Sequence, residues 1–231
     1  VWAFDDAVTD AFDDMLQRSI PELDTMRALV TELALSHLQT GGAVVDLGCS
    51  RGGALAQLVE RTRDSHWRRF FVGCEVSPPM LDAARARFRD DPCVRIDALD
   101  LRRDYPIELA CVTLCVLTLQ FVPIDHRLRL VRQMRRHTMP GGCVLLVEKV
   151  LGATDVVDAR LVTQYQEHKA ANGYTREQIE RKRLALEGVL VPITARWNED
   201  LLRSAGFEHV DCVWRWGSFA AWIAIVPWEE H

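Results

Sequence analysis

Apolar positions along the chain alternate between two patterns, a helical period and a short unbroken run. Phe4, Val8, Phe12, Met15 and Leu16 predict helix within residues 1–20, and Pro21 interrupts it. Leu23, Met26, Leu29, Val30, Leu33 and Leu38 predict an amphipathic helix over 22–39, stopped by Gly41-Gly42. The run at 43–47 predicts a first strand, with its helix over 54–63. A second strand is expected at 70–76, after which Ser77-Pro78-Pro79 caps a helix reaching Phe88. A short strand at 93–96 precedes a long apolar one at 109–119, which reads as a central parallel strand buried on both faces. Pro123 ends that region, and a helix over 124–137 leads to a turn at Pro140-Gly141-Gly142 and a fifth strand at 143–149. Five strand–helix repeats predict an α/β fold, a doubly wound, mostly parallel sheet.

Beyond 149 the pattern changes. Helices are expected over 155–171 and 175–187, broken at Asn172-Gly173, and another from about Trp197 to Ala205-Gly206. Strands at 210–216 and 219–226 close the chain as an antiparallel pair at the sheet edge and bring the sheet to seven strands. The excursion at 153–190 is too long for one crossover and is expected to be a lid or dimer arm. Residues 1–40 read as an N-terminal helical cap, and 1–231 as a single domain.

Composition narrows the function classes. The balance of 48% hydrophobic and 26% charged residues is that of a soluble globular protein, and no apolar run approaches a membrane span. The acidic amino end lacks the basic region of a secretory signal. Seven scattered cysteines, most of them in apolar runs, read as buried hydrophobes of a reducing, cytoplasmic setting, with no ligand pattern for a metal. A net charge of −5 with no basic tail argues against nucleic acid as a partner. Arg127, Arg129, Arg132, Arg135 and Arg136 interleave with Leu128, Val131 and Met134, as on the solvated face of an amphipathic helix.

The candidate chemistry starts at Val44-Val45-Asp46-Leu47-Gly48-Cys49-Ser50-Arg51-Gly52-Gly53, a strand, a small-residue loop and a helix start. Gly48 lets main-chain N–H groups and the helix N-terminus meet a small polar ligand. No Lys-Ser/Thr pair follows the glycines, and Ser50 stands where a dinucleotide loop needs its second glycine. Ligands of open α/β sheets bind at the carboxyl ends of the strands. Those ends supply Asp46, Gly48, Cys49 and Ser50, then Glu75 and Val76, Asp100 and Leu101, and Val116. Glu75 is spaced to accept bonds from ribose hydroxyls, Asp100 could accept an adenine amino group, and Val76 and Leu101 could pack the ring.

Asp46-Leu47-Gly48-Cys49-Ser50 in this setting resembles motif I of the class I S-adenosylmethionine (SAM) methyltransferase fold. The resemblance extends to the carboxy-SAM synthases, which convert SAM and prephenate to carboxy-SAM for tRNA wobble-uridine modification. It runs through Phe4-Asp5-Asp6, 15–21, Thr118-Leu119-Gln120-Phe121, Pro140-Gly141-Gly142, Glu148-Lys149, Ala171-Asn172-Gly173-Tyr174, Lys182-Arg183 and Ala205-Gly206-Phe207. It implies that Arg183 binds the carboxylate of the carboxymethyl group, work for which a guanidinium fork is suited. The chain departs from that family at three places: its cofactor-contacting tyrosine is Leu23 here, its asparagine after strand four is Val116, and its Asp-Asn pair is Glu75-Val76.

The expected activity is therefore transfer of a methyl group from SAM to a small-molecule acceptor, one bearing a carboxylate being suited to Arg183. The alternative is carboxy-SAM synthesis, with SAM or carboxy-SAM as the bound cofactor. Tyr165, His168, Tyr174 and Arg183 are the candidate acceptor-site residues, His168 as a general base, and a homodimer is expected. A non-catalytic binding module using Trp214, Trp216, Trp222 and Trp228 is the third reading.

Overall fold

The computed structural model describes residues 4–64 and 70–228; the first three residues of the predicted amino-terminal helix lie outside them. That helix is two, α1 (Asp6–Asp10) and α2 (Phe12–Ser19), followed by α3 (Leu23–Ser36). Strand β1 (Ala43–Leu47) feeds α4 (Gly53–Thr62), β2 (Phe70–Glu75) feeds α5 (Pro78–Arg87), and β3 (Val94–Ala98) leads to β4 (Ala110–Val116). A short 3-10 turn (Leu119–Phe121), α6 (Ile124–His137) and β5 (Thr138–Leu151) come next. The chain ends with α7 (Asp155–Ala171), α8 (Arg176–Leu186), β6 (Ile193–Thr194), α9 (Ala195–Ser204), β7 (His209–Trp216) and β8 (Phe219–Ile225).

The sheet order is β3-β2-β1-β4-β5-β8-β7, and β6 adds a two-residue pairing to β5. Pairs from β3 through β5 are parallel, whereas β8 runs antiparallel to both β5 and β7. The described sheet thus has eight strands where the pattern predicted seven; two residues are too few to leave a periodicity. All five residues of β1 are buried, as a strand covered on both faces requires. One core face packs Leu23, Met26 and Val30 of α3 with Leu55 and Leu58 of α4 and Leu81 of α5. The other packs Leu130, Val131 and Met134 of α6 with Leu202 of α9, Phe207 and the fully buried Trp222.

Three local expectations are corrected. Pro140-Gly141-Gly142 is not a free turn: Gly141 N–H donates to Val226 O at 2.7 Å and Val226 N–H to Gly142 O at 3.0 Å, so β5 absorbs it. The fourth strand stops at Val116, because Leu117 enters the left-handed region at φ 56° and turns the chain into the 3-10 turn. Ser77 does not cap α5 with its side chain; its hydroxyl donates to Phe4 O at 2.6 Å and ties the amino terminus over the sheet. Among the described residues no helix is long and apolar enough to cross a membrane.

Candidate active site

The reversal of strand order between β1 and β4 opens a crevice at the carboxyl ends of the strands, as topology requires. A cavity of about 900 Å³ lies there, roofed by α2, α3 and the α7–α8 pair. All nine residues expected at the cofactor line it: Asp46, Gly48, Cys49, Ser50, Glu75, Val76, Asp100, Leu101 and Val116.

The loop after β1 is held by its backbone. Gly48 and Cys49 both donate to Cys74 O, at 2.8 and 2.9 Å. Gly48 sits at φ 73°, and a Cβ there would lie 2.4 Å from Thr118 Oγ1, so a side chain would close the loop against the next strand end. Glu75 is folded into the same loop: Oε2 accepts from Ser50 N at 3.0 Å, and Oε1 accepts from Val76 N at 2.7 Å and Ser77 N at 2.9 Å. A carboxylate has about four acceptor positions, so one remains for a ligand hydroxyl.

Asp46 differs from Glu75. It is 2% exposed, and no donor meets its carboxylate among the described residues. Burial, and then the Glu75 charge, raises its pKa to about 7. An unpartnered buried carboxylate lining a cavity calls for a cationic ligand group, so the site fits the ammonium of SAM. Asp100 is gripped by Arg102, with Nη2 to Oδ2 at 2.7 Å and Nε to Oδ1 at 2.8 Å; that bond chiefly lowers its pKa to about 2. Part of its acceptor capacity is therefore used within the chain.

The far side of the cavity is cationic. Tyr165 lines it, with Lys149 Nζ 4.7 Å and Lys169 Nζ 4.4 Å from its ring centroid. Lys169 is buried and its pKa falls to about 8, through burial first and then through Lys149 and Lys182. Lys182 also falls to about 8 through burial and then Arg18, and burial lowers Lys149. Sequence reasoning assigned no role to these lysines. A charged residue closing a central strand (Lys149) and a lysine four residues after a cavity tyrosine were the available signals.

The four expected acceptor-site residues separate. Tyr165 and Arg183 line the cavity, with Arg183 at the exposed rim, where both Glu180 oxygens hold it at 2.9 and 2.7 Å. His168 and Tyr174 are not among the lining residues. His168 Nε2 meets Asn172 Nδ2 at 2.9 Å, and its ring lies 5.8 Å from that of Trp216, so it is not placed as a base in this cavity. Tyr174 lies under the Arg18 guanidinium, 4.1 Å from its ring centroid, and its hydroxyl accepts from Ser19 Oγ at 3.4 Å. Arg18 Nε donates to Asn172 O at 2.8 Å, and Asn172 Nδ2 to Arg18 O at 3.2 Å. The Asn-Gly-Tyr segment thus latches the α7–α8 turn to α2.

A parallel sheet in this order with an antiparallel penultimate strand, and a glycine loop beside an orphan acid, define the SAM-dependent methyltransferase fold. Residues 44–142 match the model of a methyltransferase domain. An O-methyltransferase family protein from Burkholderia thailandensis shares the fold at TM-score 0.66 and 20% identity, covering 96% of this chain and 60% of that one. Human N-acetylserotonin methyltransferase in complex with SAM does so at TM-score 0.55 and 16% identity, covering 98% and 60%. The protein is a SAM-dependent transferase.

Within that class, the chain belongs to the carboxy-S-adenosyl-L-methionine synthase family. It is 38% identical to the synthase of Wolinella succinogenes over 96% of this chain and 92% of that protein. It is 35% identical to that of Methylococcus capsulatus, over 97% and 93%.

Proposed function

We propose that the enzyme makes carboxy-SAM. A small carboxylate donor loses one carboxyl group as carbon dioxide, and the methyl carbon of SAM loses a proton and bonds to that carbon dioxide. The electron pair left on the donor expels a hydroxide that carries the proton away as water. Bound SAM supplies a carbon acidified by its sulfonium. The observation that carries the reading is the cationic wall of Lys149, Lys169, Lys182 and Arg183 in the same cavity as the cofactor-fitting strand ends. A cavity so built takes a donor with more than one carboxylate, as prephenate has, and charge-assisted contacts to lysine set its orientation. Arg183 would exchange Glu180 for the carboxylate of the product. The enzyme's remaining work is alignment and exclusion of water.

In this reading Asp46 holds the ammonium of SAM, the 48–50 loop approaches its amino-acid end, and Glu75 takes one ribose hydroxyl. Asp100 accepts from the adenine, whose faces Val76 and Leu101 cover. An ionised Asp46 binds the ammonium, so SAM affinity rises with pH through about 7. Calorimetric titration of SAM across that range checks this, and Asp46→Asn should flatten the dependence.

The α7–α8 pair acts as the lid over the donor site within one domain. The exposed Val156, Val157 and Leu184 on it support self-association through the same arm. Seven unbridged cysteines, five of them buried, support a cytoplasmic setting.

A second reading, methyl transfer to a carboxylate-bearing acceptor, is favoured by Leu23, Val76 and Val116, where the family pattern has polar groups at the cofactor. Donor labelled with carbon-13 in its carboxyl groups separates the two. Carboxy-SAM synthesis carries the label into the nucleoside, and methyl transfer leaves unlabelled S-adenosylhomocysteine. Arg183→Ala should lower label transfer by about 10- to 100-fold, the value of one charge-assisted contact; normal transfer would remove Arg183 from the site.

A further inference from the structure

The amino-acid end of SAM carries an ammonium and a carboxylate, and each needs a partner where water is excluded. The strand ends answer only the first. Asp46, Glu75 and Asp100 all line the cavity as acids and would repel a carboxylate. Leu23, at the start of α3, lines the cavity and brings no polar group to it.

One helical turn further along α3 stands Arg27, which also lines the cavity. Residues four apart share a helix face, and their side chains lean toward the helix N-terminus. Arg27 therefore serves the patch that a side chain at position 23 serves. Its position is fixed from the other side too: a Cβ built on Gly53 would lie 3.9 Å from Arg27 Nη2, which sets the guanidinium against the first turn of α4. That turn follows Gly52 at φ 75°, has no side-chain cap, and puts Gly53 and Ala54 on the cavity wall. First-turn N–H groups have no intrahelical acceptor and favour an anion.

The other arginines that line the cavity each carry a carboxylate partner. Arg51 Nη1 meets Asp13 at 3.3 Å while its buried Nε stays unpartnered among the described residues, Arg102 holds Asp100 at 2.7 Å, and Arg183 holds Glu180 at 2.7 Å. Among the described residues no carboxylate pairs with Arg27. The buried, unpartnered carboxylate of Asp46 lines the same cavity and marks where the ammonium of an amino acid belongs.

We propose that Arg27, with the first turn of α4, binds the methionyl carboxylate of SAM. The proposal rests on SAM binding and not on which group is transferred, so its failure would leave carboxyl transfer standing.

The test compares two nucleosides by calorimetry on the purified full chain. S-Adenosylhomocysteine keeps the amino-acid end, and 5′-methylthioadenosine lacks it. Arg27→Leu should weaken S-adenosylhomocysteine binding by about 10- to 100-fold, the worth of one charged hydrogen-bonding pair. Binding of 5′-methylthioadenosine should stay within about twofold of wild type, and Arg27→Gln should fall between wild type and the leucine variant. Unchanged S-adenosylhomocysteine binding in Arg27→Leu, or an equal weakening for both nucleosides, would overturn the proposal.

Discussion

Gly48→Val is expected to abolish retention of SAM, with a loss of affinity of at least about 100-fold and a fall in Tm of about 4–10 °C. The backbone at 48 has φ 73°, which a β-branched residue enters only with strain. A Cβ would also meet Thr118 at 2.4 Å from Oγ1 and 2.5 Å from Cγ2. Relief requires either the loop or the 118–121 segment to move, and both line the cavity. Gly41→Ala is the control: its φ of 81° is equally left-handed, but nothing lies within 4 Å of the added carbon. That variant should lose about 1 kcal/mol of stability and bind SAM normally. Thermal melts with and without SAM separate strain from site closure.

Lys149→Met combined with Lys169→Met is expected to lower carboxyl transfer by about 100- to 1,000-fold, as two charge-assisted contacts to the donor disappear. SAM affinity should change by less than about threefold, because neither lysine belongs to the strand ends that fit SAM. Stability moves in the opposite direction. Both ammonium groups lose solvation in the fold, so methionine at these positions should raise Tm. A variant that is more stable and far less active identifies a binding site rather than a structural pair. The pH profile gives the same answer independently. Lys169 has its pKa lowered to about 8, so the protonated form that binds a carboxylate is lost as pH rises through that value. The wild-type kcat/KM should therefore fall through about 8, and Lys169→Arg should keep its activity to higher pH.

Much of this was legible in the amino-acid pattern because burial writes itself into a strand. The apolar run at 43–47 is β1 to the residue, and the changes of period that follow mark α4, β2 and α5 within a residue or two. The strand ends follow from that pattern, since topology alone sends ligands there. What the pattern could not convey is direction. His168 and Lys169 are adjacent in sequence, yet the helix turns one to Trp216 and Asn172 and the other into the cavity beside Tyr165. Tyr174 carries the family signature and serves as a latch on α2, a role visible only once Arg18 and Ser19 are seen to meet it. Leu117 carries no sequence signal for a positive φ, so the early end of β4 was hidden. A two-residue strand such as β6 is below the length at which alternation can be recognised.

Weighing the nucleoside that the protein forms tests the account most directly. Purified enzyme is incubated with SAM and prephenate and denatured, and the released nucleoside is weighed. A species heavier than SAM by one carbon dioxide is the predicted result. Release of unmodified SAM alone, with prephenate unconsumed, would contradict the joining of cofactor loop and lysine wall into one carboxyl-transfer site.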